Sequence, residues 1–336
     1  METKTPSTEA SEDSATQLIL NKDEILDQIA VHKKYTSGDG VTIQKWEGEE
    51  LTDHFVSEIK KNSINFVGVL NTKLQKDNYG VMTYPNGEKY FGMYQKEFRN
   101  KQGIYVYQPK IEGDKLLSEF YFGVWRDNQK DDHGVYLWLS ENKDIAPFSN
   151  FDDASFDCFT GDIDNETFSH WTYMKKKGND YYLYHVGFNQ QNEMNGDDCY
   201  FYNANKDELI YGKVRHNKLI TGYIALFDED GKLQHIMQCD FDDNGKITSY
   251  LQKEEIEVET LGRVWNSMET FRNVILGEDY FGIVYNVFKK TKEYMDEKLN
   301  TLEAFDSSEE FPKLMSITFK FNEIKIYQNI EKNIII

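Results

Sequence analysis

Between Tyr79 and Trp138 the chain repeats one phrase. Tyr90-Phe91-Gly92-Met93-Tyr94 is followed by polar residues and then by Gly103-Ile104-Tyr105-Val106-Tyr107. In the same way Tyr121-Phe122-Gly123-Val124-Trp125 leads to Gly134-Val135-Tyr136-Leu137-Trp138. Eleven positions separate the two glycines in both copies. Rings stand at alternate positions around each glycine, which is the period of a strand. A half-copy precedes them: Phe66 and Gly68, then Gly80 with Tyr84 and the turn Pro85-Asn86-Gly87. Each unit reads as a hairpin that cannot bury its own face, so several must stack into an array.

Degenerate copies extend the pattern. Leading glycines fall at Gly92, Gly123, Gly161, Gly187 and Gly212, and second glycines at Gly80, Gly103, Gly134, Gly196 and Gly222. Phe159-Thr160-Gly161 opens a copy whose second half is not visible in the sequence. The uneven spacing places insertions in the turns after Tyr107 and Trp138. Aromatics on one face can stack on those of the next hairpin, and the glycines allow a neighbouring ring or backbone to lie close. The residues expected to build the repeat are Tyr90, Gly92, Tyr94, Gly103, Tyr105, Tyr121, Gly123, Trp125, Gly134 and Tyr136. The fold class that follows is mainly β: an elongated, single-layer antiparallel ribbon of hairpins, with short N-terminal helices and a helical C-terminal segment.

The phrase resembles the MORN repeat (membrane occupation and recognition nexus), in which Tyr-x-Gly-x-Trp/Phe is followed by a glycine-aromatic segment. The resemblance covers roughly residues 64–227 and is closest at 79–100 and 121–138. It implies a stacked hairpin ribbon. It also implies the settings in which such proteins recur: ciliary radial spokes, basal and cytoskeletal assemblies, and membrane junctions. A phosphoinositide- or membrane-binding role has long been attached to the same family.

Outside the repeats, residues 1–20 form an acidic tail with almost nothing to bury, and disorder is expected there. Residues 21–62 read as a short helical segment. Ile25, Leu26, Ile29 and Ala30 recur at helical spacing up to a break at Gly38-Asp39-Gly40, and Leu51, Phe55 and Ile59 suggest a second helix over 49–61. The ribbon is expected over 63–252, its last hairpins turning at Asp228-Glu229-Asp230-Gly231 and Asp242-Asp243-Asn244-Gly245. From Val258 the period changes to three and four, which predicts helices within 253–304. Residues 305–336 read as a docked tail, strand or helix: the alternation of Ile317, Phe319 and Phe321 is strand-like, and the apolar Ile334-Ile335-Ile336 points to docking on this or another chain.

With 58 acidic and 38 basic residues the formal net charge is −20, which argues against nucleic acid and against anionic lipid as partners. The three cysteines are isolated and odd in number, as reduced structural thiols are. No secretory signal is read at the start of the sequence, so Asn165-Glu166-Thr167 carries little weight as a glycosylation site, and an intracellular protein is expected. Asp240-Phe241-Asp242-Asp243-Asn244-Gly245 matches the first half of a calcium loop, but Leu251 stands where a bidentate Glu is required, and a hairpin turn explains the same residues. Asp131-Asp132-His133 is read as a solvated loop between strands. The remaining histidines are scattered, and no nucleophile, nucleotide or metal motif appears. No catalytic residue, metal ligand, cofactor or small-molecule substrate is therefore assigned.

The reading that remains is a non-enzymatic scaffold that holds protein partners in a larger assembly. Its candidate partner surface is the helical segment carrying Trp265, Met268, Phe271, Tyr280, Phe281, Tyr285 and Phe288. On that reading a chain cut before residue 258 keeps a folded ribbon and loses its complex. The alternative is lipid binding through Lys175-Lys176-Lys177, the densest basic cluster, which otherwise reads as a solvated turn. A regulatory subunit of an enzyme complex comes third.

Overall fold

The computed structural model describes residues 22–45, 54–61, 64–144, 154–164, 167–177, 180–187, 193–228, 230–276 and part of 282–293. Among these residues eighteen antiparallel strands form one open sheet. The first seven are β1 (Lys34–Thr36), β2 (Val41–Lys45), β3 (Phe55–Lys61), β4 (Ile64–Leu70), β5 (Lys76–Thr83), β6 (Lys89–Gln95) and β7 (Phe98–Val106). They pair in chain order, and β7 then pairs β9 (Lys115–Arg126), on whose edge the three-residue β8 (Lys110–Glu112) is laid. The meander continues through β10 (Gln129–Asn142), β11 (Ser155–Asp164), β12 (Thr167–Lys177), β13 (Asp180–Gly187) and β14 (Gly196–Asn203). It closes with β15 (Glu208–Arg215), β16 (Lys218–Phe227), β17 (Leu233–Phe241) and β18 (Ile247–Gln252). The expected insertions take defined forms: the one after Tyr107 supplies β8, and after Trp138 the strand runs on to Asn142.

Register explains why the phrase repeats. Gly68, Gly80, Gly92, Gly103, Gly123, Gly134 and Gly161 are cross-strand partners in one unbroken row. Trp171 occupies the next place in that row, so the missing half-copy exists with its glycine replaced. In the copy that opens at Gly187 the two glycines do not face each other. Gly187 pairs His170, and Cys199, not Gly196, sits opposite Gly212. Beside the glycines on the same face runs a second row: Val41, Ile59, Phe66, Met82, Tyr90, Tyr105, Tyr121, Tyr136, Phe159, Tyr173, Tyr184, Phe201, Ile210, Ile224 and Met237. We call this the tyrosine face.

The N-terminal segment differs from its sequence reading. Among its described residues one helix is present, α1 (Lys22–His32), which buries Ile25 and Ile29 among the tyrosine-face residues. It ends at Lys33, whose φ is 58°, and the Gly38–Gly40 stretch is the turn between β1 and β2 rather than a helix stop. Residues 55–61, expected as helix, are strand. The i, i+4 spacing of Phe55 and Ile59 is also an even spacing, so a strand places both on one face. Val56 and Ser57 are buried as well, Val56 on the opposite face, and only a strand covered on both sides accommodates that set.

The opposite face is packed by Val67, Val81, Phe91, Ile104, Phe122, Leu137, Met174, Leu183, Leu209 and Ala225 among others. Helix α2 (Val258–Leu276) lies on it through Val264, Met268 and Phe271, and helical residues within 282–293 add Tyr285 and Phe288. No helix among the described residues is long and apolar enough to cross a membrane. The expected tail at 1–20, residues 49–53 of the expected second N-terminal helix, and residues 294–336 lie outside the described residues.

Candidate interaction surface

The glycine row is a floor for rings. An added Cβ at Gly92 or at Gly103 would lie 2.5 Å from Tyr90 Cζ, and one at Gly123 2.5 Å from Tyr121 Cζ. At Gly68 and Gly80 it would lie 2.7 Å from Phe66 Cζ. Each ring thus lies across the glycine pair of its own hairpin, and the hydroxyl of Tyr90 donates to the Met93 carbonyl at 3.0 Å. Tyr90, Tyr105 and Tyr121 have no exposed surface. Trp125 stands edge-on between Tyr90 and Tyr121, at 5.4 and 5.3 Å.

Three cations complete this face at equivalent places, opposite the residue two beyond the leading glycine: Lys76 opposite Leu70, Arg99 opposite Tyr94, and Lys130 opposite Trp125. Lys76 Nζ lies 5.3 Å from the Tyr94 ring centre, and the Arg99 guanidinium 4.3 Å from that of Trp125. Lys130 Nζ is within 5.6 Å of Tyr121, Trp125 and Tyr136. Ring faces are electron-rich, so these cations are attracted while their stems fill space. In the sequence they look like solvated turn residues, and only the register reveals them.

Neighbouring hairpins are also latched. The tip residue Glu97 donates its N–H to the Lys76 carbonyl (2.9 Å), and its Oε1 accepts the Lys76 N–H (2.7 Å). Asn128 makes the same reciprocal pair with Arg99, at 3.0 and 2.6 Å, and Asn217 with Met194, at 3.0 and 2.7 Å. In all three the tip residue is left-handed, with φ of 82°, 73° and 65°.

Tyr90, Tyr94, Tyr105, Tyr121, Trp125 and Tyr136 are therefore packing residues, as Gly92, Gly103, Gly123 and Gly134 are the ground they pack on. The helical candidates divide. Met268, Phe271, Tyr285 and Phe288 are buried against the sheet, Phe271 stacking on Tyr200 at 4.5 Å and Phe288 standing edge-on to Phe122 at 4.3 Å. Tyr285 Oη donates to Glu141 at 3.2 Å. Burial, then the nearby Glu141 carboxylate, push the Tyr285 phenol above its ordinary range. Arg272 clamps Asp207 with Nε (2.9 Å) and NH2 and lies over Phe227. Trp265 is half-buried and donates to Glu269. Tyr280 and Phe281 lie outside the described residues. Helix α2 is thus a cover, and cutting the chain before 258 would uncover Tyr200 and the β15 surface beneath it.

Two polar stretches also move from their expected places. Lys175-Lys176-Lys177 is strand, not turn: Lys176 is buried and donates to the Ala154 carbonyl at 2.8 Å, while Lys175 faces Asp157. Alternation splits the triplet between two faces, so it is no continuous basic patch. Asp131-Asp132-His133 lies within β10, His133 contacting Asp162 and Thr160 through its two ring nitrogens. The Asp242–Gly245 stretch is a hairpin turn whose Asp242 Oδ1 accepts the N–H groups of Asn244 and Lys246.

Among the described residues the far half of the tyrosine face is less covered than the near half, although Val186, Met194, Cys199 and Val214 form a small buried cluster there. From β13 onward Tyr182, Tyr184, Phe201, Ile210, Ile224 and Met237 are half-buried, whereas the same row is buried from Phe66 to Tyr173. The helical cover of these strands lies on the opposite face. No protein-family model matches this chain, and no curated protein matches it.

Proposed function

We propose that this chain is a non-catalytic assembly subunit, a stiff hairpin ribbon that holds protein partners. The observation that carries the reading is the half-buried apolar row on β13–β17, the continuation of a row packed shut elsewhere. Apolar sheet surface left accessible beside a well-packed core marks a protein interface more often than a reaction site. Doubly latched repeats with helices on both faces suit a rigid spacer. The net charge of −20 favours partners with basic surfaces and disfavours anionic lipid. The division of the lysine triplet between two faces weighs further against the lipid-binding reading. The resemblance to MORN repeats supports an intracellular setting in a ciliary or cytoskeletal assembly.

The test is the native mass of the tagged endogenous chain, wild type and Ile224→Glu. A stoichiometric, salt-resistant complex that the substitution dissolves, with the strand signal in circular dichroism unchanged, supports the reading. A complex indifferent to Ile224→Glu moves the interface elsewhere. Elution of the wild type near 39.5 kDa, alone, refutes the scaffold function.

A further inference from the structure

The two edges of the sheet are finished differently. Strand β1 is three residues long, carries Lys34, and has α1 beside it. Short, charged, covered edges resist further strand pairing. Strand β18 is the reverse. Its six residues, Ile-Thr-Ser-Tyr-Leu-Gln, hold no charge and no proline, and it pairs only with β17 among the described residues. Ile247, Tyr250 and Leu251 are 39%, 59% and 43% exposed, and Val258, at the start of α2, is 84% exposed. An edge of this kind is a template for another strand.

We propose that the strand added to β18 is residues 314–321 of the same chain. Three observations select it. Met315, Ile317, Phe319 and Phe321 alternate with Ser316, Thr318 and Lys320, and Pro312 stands just before the run, where it ends whatever precedes. The charges complement each other. Around β18 the five exposed carboxylates of Asp240, Asp243, Glu255, Glu257 and Glu259 outnumber the exposed Lys246 and Lys253, whereas residues 311–336 hold four lysines against two glutamates, a basic stretch in a chain of net charge −20. The chain is also long enough. Its last described residues place Phe288 on β9, nine strand spacings from β18, or about 43 Å along the sheet. The twenty residues 294–313 reach about 66 Å when extended. The added strand closes the open edge and sets Phe319 beside the exposed rings and aliphatics of β18.

Hydrogen exchange of the β18 amides in the full-length protein tests this, comparing wild type with Phe319→Asp at two protein concentrations. The expected result is slow exchange at 247–252 in the wild type. In Phe319→Asp exchange there becomes at least about tenfold faster while β15–β17 are unchanged, and an added synthetic peptide of residues 313–323 restores the protection. Equal rates in the two proteins overturn the proposal. Protection that grows with protein concentration also overturns it and assigns the edge to a second copy of the chain.

Discussion

Replacing Gly103 by Ala tests whether the glycine row is a floor for rings or only a bend in the strands. The new Cβ would lie 2.5 Å from Tyr90 Cζ, against about 3.5–4.0 Å for a relaxed carbon contact, so the ring must move by more than 1 Å. It has little room: Tyr94 and Trp125 stand edge-on to it at 5.3 and 5.4 Å, the Arg99 guanidinium lies 5.7 Å from its centre, and its hydroxyl is bonded to Met93. Overpacking of this kind costs about 1–3 kcal/mol, and loss of the tyrosine hydrogen bond adds about 1 kcal/mol. Removing a glycine from a strand returns about 0.5–1 kcal/mol. The expected net loss is about 1–3.5 kcal/mol, read as a shift of the urea midpoint at constant slope. Gly38→Ala, where nothing lies within 4 Å, should change stability by less than about 0.5 kcal/mol. In a Tyr90→Ala background Gly103→Ala should become neutral or mildly stabilising, a coupling of about 1 kcal/mol or more. An undiminished cost in that background would refute the floor and place the role of Gly103 in its backbone.

The latches give a second prediction: Asn128→Gly keeps the left-handed tip and removes only the acceptor for the Arg99 N–H, so about 1–2 kcal/mol should be lost in urea unfolding. Lys101, left-handed at φ 56° inside β7, should gain up to about 1 kcal/mol as Lys101→Gly, seen as a higher thermal midpoint. The buried tyrosines predict the alkaline limb. Burial first, then Tyr182 and Asp157, push Tyr184 up to about 12, and burial likewise raises Tyr200 and Tyr202. An unfolded tyrosine ionises near 10, so this stability is complete below about pH 10 and is lost as pH rises towards 12. Urea midpoints at pH 7, 9 and 11 should be equal for the first two and lower at the third; a midpoint that does not fall by pH 11 would mean these rings ionise normally in the fold.

The hairpins were legible because period-2 rings around a fixed glycine admit no helical reading, and the order of strands followed from short turns. The N-terminal strands were not, since the spacing of Phe55 and Ile59 satisfies both periods and the buried Val56 and Ser57 were the deciding pair. Trp171 hid a repeat by standing where a glycine was sought. The cations were hidden by residue type: Arg99 and Lys130 sit next to hairpin tips, where solvated charges are the rule, and only register brings them over Trp125. The helical period of 258–276 was plain, but whether its apolar stripe faces this sheet or another protein is a property of the sheet. Tyr200 and Leu209 supply the answer.

The latches also account for where the chain tolerates irregular spacing. Each joins a hairpin tip to the preceding hairpin across 21 to 29 residues, and every tip so used, at Glu97, Asn128 and Asn217, lies at the same end of the strands. The connections 107–114 and 143–154 lie at the other end, whereas 46–54 and 188–195 lie at the tip end. An extra residue at a tip would move Asn128 Oδ1 away from the Arg99 N–H and leave a backbone donor without its acceptor, at about 1–3 kcal/mol. At the far end an insertion costs only loop-closure entropy, which grows slowly with length. The two largest departures from the repeat spacing, between Gly92 and Gly123 and between Gly123 and Gly161, therefore fall on the side away from the latches, and the glycine and tyrosine rows stay in register through them. The same asymmetry allows β8 to be spliced in beside β9 without displacing Gly103 from Gly123.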